Sequence, residues 1–487
     1  MKRPKTTSVS AGAPTAPHGE WTAWLGPLLL GLALRLWLAT HTYGLTMDSG
    51  LYAAMADELR RGTHEPLGPA HHGYPALIAL ASYAVPGREW AGRIVSMVAG
   101  LALVPIVYLL ARRRLTRGWS RIAATLVALH PLLAMYSAAI MTEASFVAIA
   151  YAALLALERG RAAAGGAGLG IAYWIRPEAL VFVAAAAGLM RGGWRTRVTV
   201  LAAFALATAP FLGYLRLERG AWMLTPKEVL VAAPLPGGIE TEPSLDAPTR
   251  DVHTSLFERA RAALPAALPH YLPNLAGHLR QLNDAWPLPL LALSAIGLGR
   301  RRGVLVAPLL QLLILPLLMV VANGRFPMLL IPALAVGAAE GADWIARRLG
   351  RWERFAGWLP ASLAIAGLVW AWLGLPGRHV RHFDEQPMSV MRKAGLWLRA
   401  HGPSDARVMD RKAYIPFFAH MRHVQLPDGS TEQVVEHALR TGSDYLALEE
   451  YVLLTLRPQL LPLVTDSEFL ARQKQLRLIY IDRDKPL

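Results

Sequence analysis

Apolar residues run through this chain in long unbroken blocks, set apart by short connectors rich in arginine, and many of the blocks share one length. Those at 21–40, 90–111, 122–140, 198–215 and 355–375 hold roughly 18 to 22 residues each, which at 1.5 Å per residue matches the ~30 Å hydrocarbon core of a bilayer. The pattern predicts membrane-spanning helices. A further apolar segment occupies 143–157, and two shorter ones, "GGAGLGIAYWI" and "PEALVFVAAAAGLM", meet at "RPE". Helices that short do not cross fully unless tilted neighbours or a water-filled cavity reach their ends. Between the first two blocks, "GLYAAMADELRRG" and "YPALIALASYAVPG" are too short to span and amphipathic enough to lie at the interface.

The connectors orient these helices. "RRRLTRGWSR", "ERGR", "RGGWRTR", "GRRRG" and "RRLGRWER" carry the arginine excess that marks cytoplasmic loops. Alternation then gives about eleven spans over 21–375, with the loop at 42–89, the long Pro-rich segment before Asp284 and the C-terminus outside. A helical stretch is expected near "SLFERARAALPAAL" in that long segment. The first 20 residues are basic and rich in Ser, Thr and Pro, the composition of a disordered cytoplasmic tail. From 379 onward the chain becomes soluble in character. There "SVMRKAGLWLRAHG" predicts a helix, "ARVMD" a strand, and "DGSTEQVVEHALRTG" a helix with a capping box from Ser430 to Gln433 and a stop at Gly442. "DYLALEE" and "LRLIYIDR" read as strands. The fold class expected is a polytopic α-helical membrane protein with a small C-terminal α/β extracytoplasmic domain over 379–487.

Composition agrees with that picture. Of 487 residues, 54% are hydrophobic and 17% charged, and the mean hydropathy is +0.32, too apolar for a soluble protein. A formal charge of +16 could point to nucleic acid, but the basic residues sit in short loops between apolar runs and no soluble basic face carries interleaved aromatics, so nucleic acid is not an expected partner. The absence of cysteine excludes disulfides, thiolate metal sites and cysteine nucleophiles.

The acids change the functional picture. Asp48, Glu143, Glu178 and Asp284 fall at outer ends of spans, and the middles of the helices are almost free of acids. Ion-coupled transporters place carboxylates near the bilayer midplane on broken helices, so a reaction centre at the outer surface is expected. Asp48, after the first span in "LTMDSGLYAAMADELRRG", is either a helix N-cap or a general base for an attacking hydroxyl. Glu143, after "HPLLAMYSAAIMT", either opens a span or serves as a second acid. Together the two could share an acceptor, tune each other's pKa or bracket a divalent cation. Arg325 in "NGRFPMLLIPAL" lies at an outer tip against the positive-inside trend, where an arginine can clamp a phosphate with two parallel bonds or snorkel to the interface. Arg176 in "YWIRPEAL" is a second candidate clamp, or a partner of Glu178. His71 and His72 in "GPAHHGYPAL" could donate to a phosphate or form a solvated loop pair. Tyr74 and Glu178 are candidates for the substrate pocket. Arg35, inside the first block, is expected to reach a buried partner or the interface rather than a ligand.

Asp48 after the first span, "GYPALIAL", "HPLLAMYSAAIMTE", "YWIRPEAL" and "GRFPMLLIPALA", taken in this order, resemble the GT-C fold glycosyltransferases related to protein O-mannosyltransferases and the lipid A aminoarabinose transferase. The resemblance spans roughly Trp21 to Leu375. It implies a sugar donor on a polyprenyl phosphate, a glycan, lipid or protein acceptor offering a hydroxyl outside the cytoplasmic membrane, Asp48 as catalytic carboxylate, Glu143 as second acid and Arg325 near the donor phosphate. The rival readings are a transporter or flippase of a lipid-linked substrate, and a scaffold whose C-terminal domain binds an envelope partner.

Overall fold

A helix forms at each of these apolar blocks in the computed structural model, which describes residues 20–42, 45–46, 48–62, 70–190, 192–220, 222–226, 265, 268–300, 303–318, 325–349, 358–384 and 387–482. The tail expected over 1–19 and most of the helical stretch expected at 255–268 lie outside the described residues. The helices are α1 (Trp21–His41), α2 (Ser49–Arg61), α3 (Gly73–Ala81), α4 (Arg88–Arg112), α5 (Arg117–Leu129), α6 (Pro131–Ala138), α7 (Thr142–Glu158), α8 (Ala162–Tyr173), α9 (Ala179–Leu189) and α10 (Trp194–Arg219). They continue with α11 (Tyr271–Ala285), α12 (Leu288–Gly299), a 3₁₀ stretch Val304–Leu310 running into α13 (Gln311–Leu318), α14 (Ile331–Arg348) and α15 (Trp358–Asp384). Among the described residues three helices, α1, α4 and α10, are long and apolar enough to cross a membrane, or four if the bent pair α5 and α6 is one span. The other blocks make shorter helices.

The α5–α6 break shows why one block became two helices. Pro131 has no N–H to give to the helix and clashes with the preceding turn, so His130 turns extended and the axis bends by 51°. Carbonyls at the end of α5 then lose their helical donors, and buried orphans of this kind are costly. Arg35 fills the gap: fully buried, it donates to the Ala128 carbonyl at 2.8 Å, the Gly31 carbonyl at 3.0 Å and Ser137 Oγ at 2.7 Å. Trp372 Nε1 donates to the Leu129 carbonyl at 2.8 Å. The arginine therefore meets a buried partner, as expected, and it fixes α1 against the segment that leads into Glu143.

α15 continues to Asp384, past the end of its apolar run, and is followed by α16 (Pro387–His401), β1 (Arg407–Asp410), α17 (Tyr414–Ala419), β2 (Arg422–Gln425), α18 (Thr431–Thr441) and β3 (Tyr445–Leu446). The strands form one parallel sheet in the order β2-β1-β3, with Val408 facing His423 on one side and Tyr445 on the other. Ser430 and Gln433 make the reciprocal capping box, and Gly442 closes α18 at φ 63°. The strand expected in "LRLIYIDR" does not form over 476–482. Tyr480 packs on Trp397 of α16 at 5.2 Å and Leu478, Ile479 and Ile481 stay exposed, so this segment lies along a helix instead of extending the sheet.

The C-terminal region is not a free appendage. Tyr414, Phe417 and Phe418 of α17 join the same buried cluster as Tyr52 and Tyr74 near α2 and α3. Gly50 permits the approach, because a Cβ there would sit 2.8 Å from the Ala413 carbonyl carbon and nearer still to its oxygen.

Candidate active site

α1 ends at Thr42 and the chain re-enters a helix at α2, with Asp48 in the capping position. Its side chain caps nothing: no hydrogen bond runs from the α2 amides to the carboxylate. The turn is held instead by Ser49, whose Oγ accepts from Thr46 N at 2.8 Å and donates to the Ile140 carbonyl at 3.0 Å. The Asp48 carboxylate is thus available for Arg325, whose Nη1 lies 2.8 Å from its Oδ2. That contact joins residues 277 positions apart.

Ile140 and Met141 lead directly into Glu143, in the first turn of α7, where the helix dipole favours a negative charge. Its side chain is 1% exposed. Arg176, in the turn between α8 and α9, reaches it with Nη1 at 2.5 Å from Oε1, donates to Thr142 Oγ1 at 3.0 Å and pairs with Glu178 at 2.5 Å. Arg325 Nε lies 3.7 Å from the same Glu143 oxygen. Five side chains from four stretches of sequence therefore alternate in charge: Asp48, Arg325, Glu143, Arg176, Glu178. Burial alone would pull the Arg325 guanidinium down, but the Glu143 and Asp48 carboxylates outweigh it and hold it above its ordinary value.

Tyr52 was not singled out from the sequence and belongs beside these groups. It is one helical turn beyond Asp48, hence on the same face of α2, and it is buried. Burial first, then the Asp48 and Glu143 charges, push its hydroxyl pKa up, so it remains a neutral donor. The spacing from Asp48 was a signal for it, although an i, i+4 tyrosine is common on any amphipathic helix.

The remaining candidates lie in other surroundings. Tyr74 is fully buried behind Tyr52, edge-on at 5.4 Å, with its hydroxyl directed to Ser96 Oγ at 2.7 Å and the Gly92 carbonyl at 3.2 Å. It supports the site from behind. His71 Nδ1 is 2.7 Å from the Tyr173 carbonyl and Nε2 is 3.0 Å from Thr225 Oγ1. His72 sits among the rings of Phe211 and Tyr214. Both histidines are buried, so neither is the solvated loop pair that composition allowed. Gly73, next to them, donates to the Trp174 carbonyl at 2.7 Å, which ties α3 to the turn carrying Arg176. A cleft lined by Asp57, Arg60, Arg88 and His420 shares no residue with the ion network.

A divalent cation between Asp48 and Glu143 does not fit this arrangement. The Arg325 guanidinium contacts both carboxylates, and no group of three metal-ligating side chains comes together among the described residues.

Comparison with known proteins bears on the fold that carries these residues. The family described as dolichyl-phosphate-mannose-protein mannosyltransferase matches residues 72–215, a stretch that includes Glu143, Arg176 and Glu178. In structure, the chain is similar to ArnT from Cupriavidus metallidurans bound to undecaprenyl phosphate, with a TM-score of 0.56 at 13% identity over 86% of this chain and 90% of that one. The chain has the GT-C fold. It is also similar to the oligosaccharyltransferase AglB from Archaeoglobus fulgidus, in complex with an inhibitory peptide and a dolichol-phosphate, with a TM-score of 0.56 at 13% identity over 88% of this chain and 69% of that one. No curated protein matches at the level of sequence. Within the GT-C fold, the matched stretch stops short of Asp48 and Arg325, whose meeting is seen only in three dimensions.

Proposed function

We propose that the protein moves a sugar from a polyprenyl-phosphate donor to an acceptor hydroxyl on the extracytoplasmic face of the cytoplasmic membrane. The arginine-rich connectors then face the cytoplasm, with the N-terminus there and the C-terminal domain outside. The observation that carries the reading is the Asp48–Arg325–Glu143 contact, in which a carboxylate of the kind that accepts a proton meets a guanidinium of the kind that binds a phosphate. The polyprenyl phosphates held by the similar ArnT and AglB structures support the donor class.

The chemistry is a single displacement. In the free protein the Asp48 carboxylate is engaged by Arg325. A donor phosphate entering the site offers Arg325 a bidentate partner, and Asp48 is released to accept the proton of the acceptor hydroxyl. The hydroxyl oxygen forms its bond to the anomeric carbon as the bond from that carbon to the phosphate oxygen breaks. The electron pair leaves with the phosphate, where Arg325 and Arg176 stabilise the added charge. Configuration at the sugar carbon inverts, and a phosphate leaving group needs no acid. Glu143 holds both arginines in reach and Glu178 holds Arg176. Asp48, Arg325 and Arg176 thus act on the reactants, while Tyr74 backs Tyr52 from behind.

Purified protein in nanodiscs, given a panel of radiolabelled polyprenyl-phosphate hexoses and pentoses with native membranes as acceptor, is expected to transfer label from one of them. Movement of intact donor across liposomes with no transfer from any member of the panel would replace this reading with transport.

A further inference from the structure

The side of the C-terminal domain that touches the membrane-embedded part is the carboxyl edge of its parallel sheet. Chain leaving the central strand β1 turns at Asp410–Ala413 and enters α17. With neighbours β2 and β3 on opposite sides of β1, this is a topological switch point, the place where open α/β sheets present a crevice to ligands. The edge is heavily functionalised. Arg411 Nε is 3.1 Å from Glu449 Oε1, with both side chains largely buried, and Asp410 is buried beneath them, accepting from Ile415 N at 3.3 Å.

Tyr414 comes next in the chain. The peptide that joins it to Ala413 is the one against Gly50, two residues from Asp48. The side chain is buried, 3% exposed, and its hydroxyl has no hydrogen-bond partner among the described residues. Burial, then the Asp48 carboxylate, raise the hydroxyl's pKa, so Tyr414 stays neutral and able to donate. A buried hydroxyl left without a partner is destabilising, and one kept in a folded protein calls for an explanation, of which a ligand that completes it is one.

We propose that Tyr414 binds a saccharide hydroxyl at the reaction centre, so that the C-terminal domain supplies part of the sugar-binding wall facing Asp48. This rests on the glycosyltransferase reading given above. The hydroxyl comes from the transferred sugar or from the acceptor, and both lie within reach of the base. Specificity for the sugar is then read partly by a domain outside the membrane, which explains why a small sheet is packed tightly over α2.

The test compares wild-type protein with Tyr414→Phe, which keeps the ring and removes the oxygen. Three readouts are needed: melting temperature without ligand, the rise in melting temperature with polyprenyl phosphate or with the polyprenyl-phosphate monosaccharide that the wild type uses, and the KM for donor and for acceptor. The free variant is expected to melt at or above the wild-type temperature, because an unsatisfied polar atom is gone. If the transferred sugar is the partner, the extra rise given by the monosaccharide over bare polyprenyl phosphate shrinks and donor KM increases by about 2- to 10-fold. If the acceptor is the partner, the donor shifts stay as in wild type and acceptor KM increases by that factor. A variant that melts lower than wild type, or that leaves both KM values and the ligand shifts unchanged, overturns the proposal. If no polyprenyl-phosphate sugar stabilises or is used by the wild type, the glycosyltransferase reading fails first and takes this inference with it.

Discussion

Asp48 is a quarter exposed and Glu143 one per cent exposed, although both contact Arg325. That difference separates what each can do. A partly exposed carboxylate can exchange its partner for a substrate at little cost, since exposed ion pairs are worth about 1 kcal/mol or less. A buried one cannot, because removing it leaves Arg176 and Arg325 short of a counter-charge. Glu143→Gln is therefore expected to lose up to about 3–5 kcal/mol of stability, seen as a large drop in melting temperature, whereas Asp48→Asn melts close to wild type. Equal melting of the two variants would contradict the division. The sequence singled out Asp48, Glu143, Arg176 and Arg325, which the fold brings into contact, because ionisable residues next to apolar blocks are expensive and few. The surroundings of His71 and His72 were not legible, because the aromatic residues that bury them, Tyr173, Phe211 and Tyr214, come from α8 and α10. Tyr52 and Tyr414 were missed for a related reason: tyrosine is cheap in any half-buried position, and only the tertiary contact shows what charge it meets.

Among the elements, α2 follows directly on Asp48, the proposed base, and accepts the C-terminal region through Gly50. Gly50→Ala drives a methyl group into the Ala413 carbonyl; overpacking of this kind costs about 1–3 kcal/mol. Its expected outcome is faster protease cleavage between α15 and α16 together with reduced sugar transfer, while Gly62→Ala, at the far end of α2, leaves the interface intact. Cleavage at the wild-type rate with unchanged transfer would show that the close approach does not matter. The positions of the helices were legible from apolar blocks, and α18 from its capping box and terminal glycine. The bend at Pro131 and its repair by Arg35 and Trp372 were not, because one chain break is satisfied by side chains from α1 and α15. The failed strand at 476–482 shows the limit of alternation as a signal: residues of strand character need a free sheet edge, and Trp397 offered this segment a helix face instead.

For the whole molecule, the charge pattern of the connectors and the placement of acids at block ends pointed to a reaction at one membrane face, and the converging network is consistent with it. What the sequence did not reveal is that the C-terminal region packs against α2 and α3. Its stability carries a pH signature. Burial, with the Glu449 charge adding to it, pushes the Asp410 carboxyl up to about 8, against the pull of the Ile415, Arg411 and Lys412 amides. The folded domain therefore binds this proton more tightly than the unfolded chain, and the contribution is complete below the ordinary carboxyl range and lost as pH rises through about 8. Melting temperature is expected to fall across that window, and Asp410→Asn, which keeps the acceptor oxygen for Ile415 N, should flatten the fall. An unchanged slope would assign it elsewhere.

The central claim is that Asp48 takes the acceptor proton at a site whose phosphate clamp is Arg325. The most direct measurement is the turnover of purified Asp48→Asn on the polyprenyl-phosphate sugar that the wild type transfers, at saturating donor and with folding checked by its melting temperature. The account predicts a loss of about 10²- to 10⁴-fold in kcat with the protein still folded and still stabilised by donor. A folded Asp48→Asn protein that turns over at the wild-type rate would contradict it.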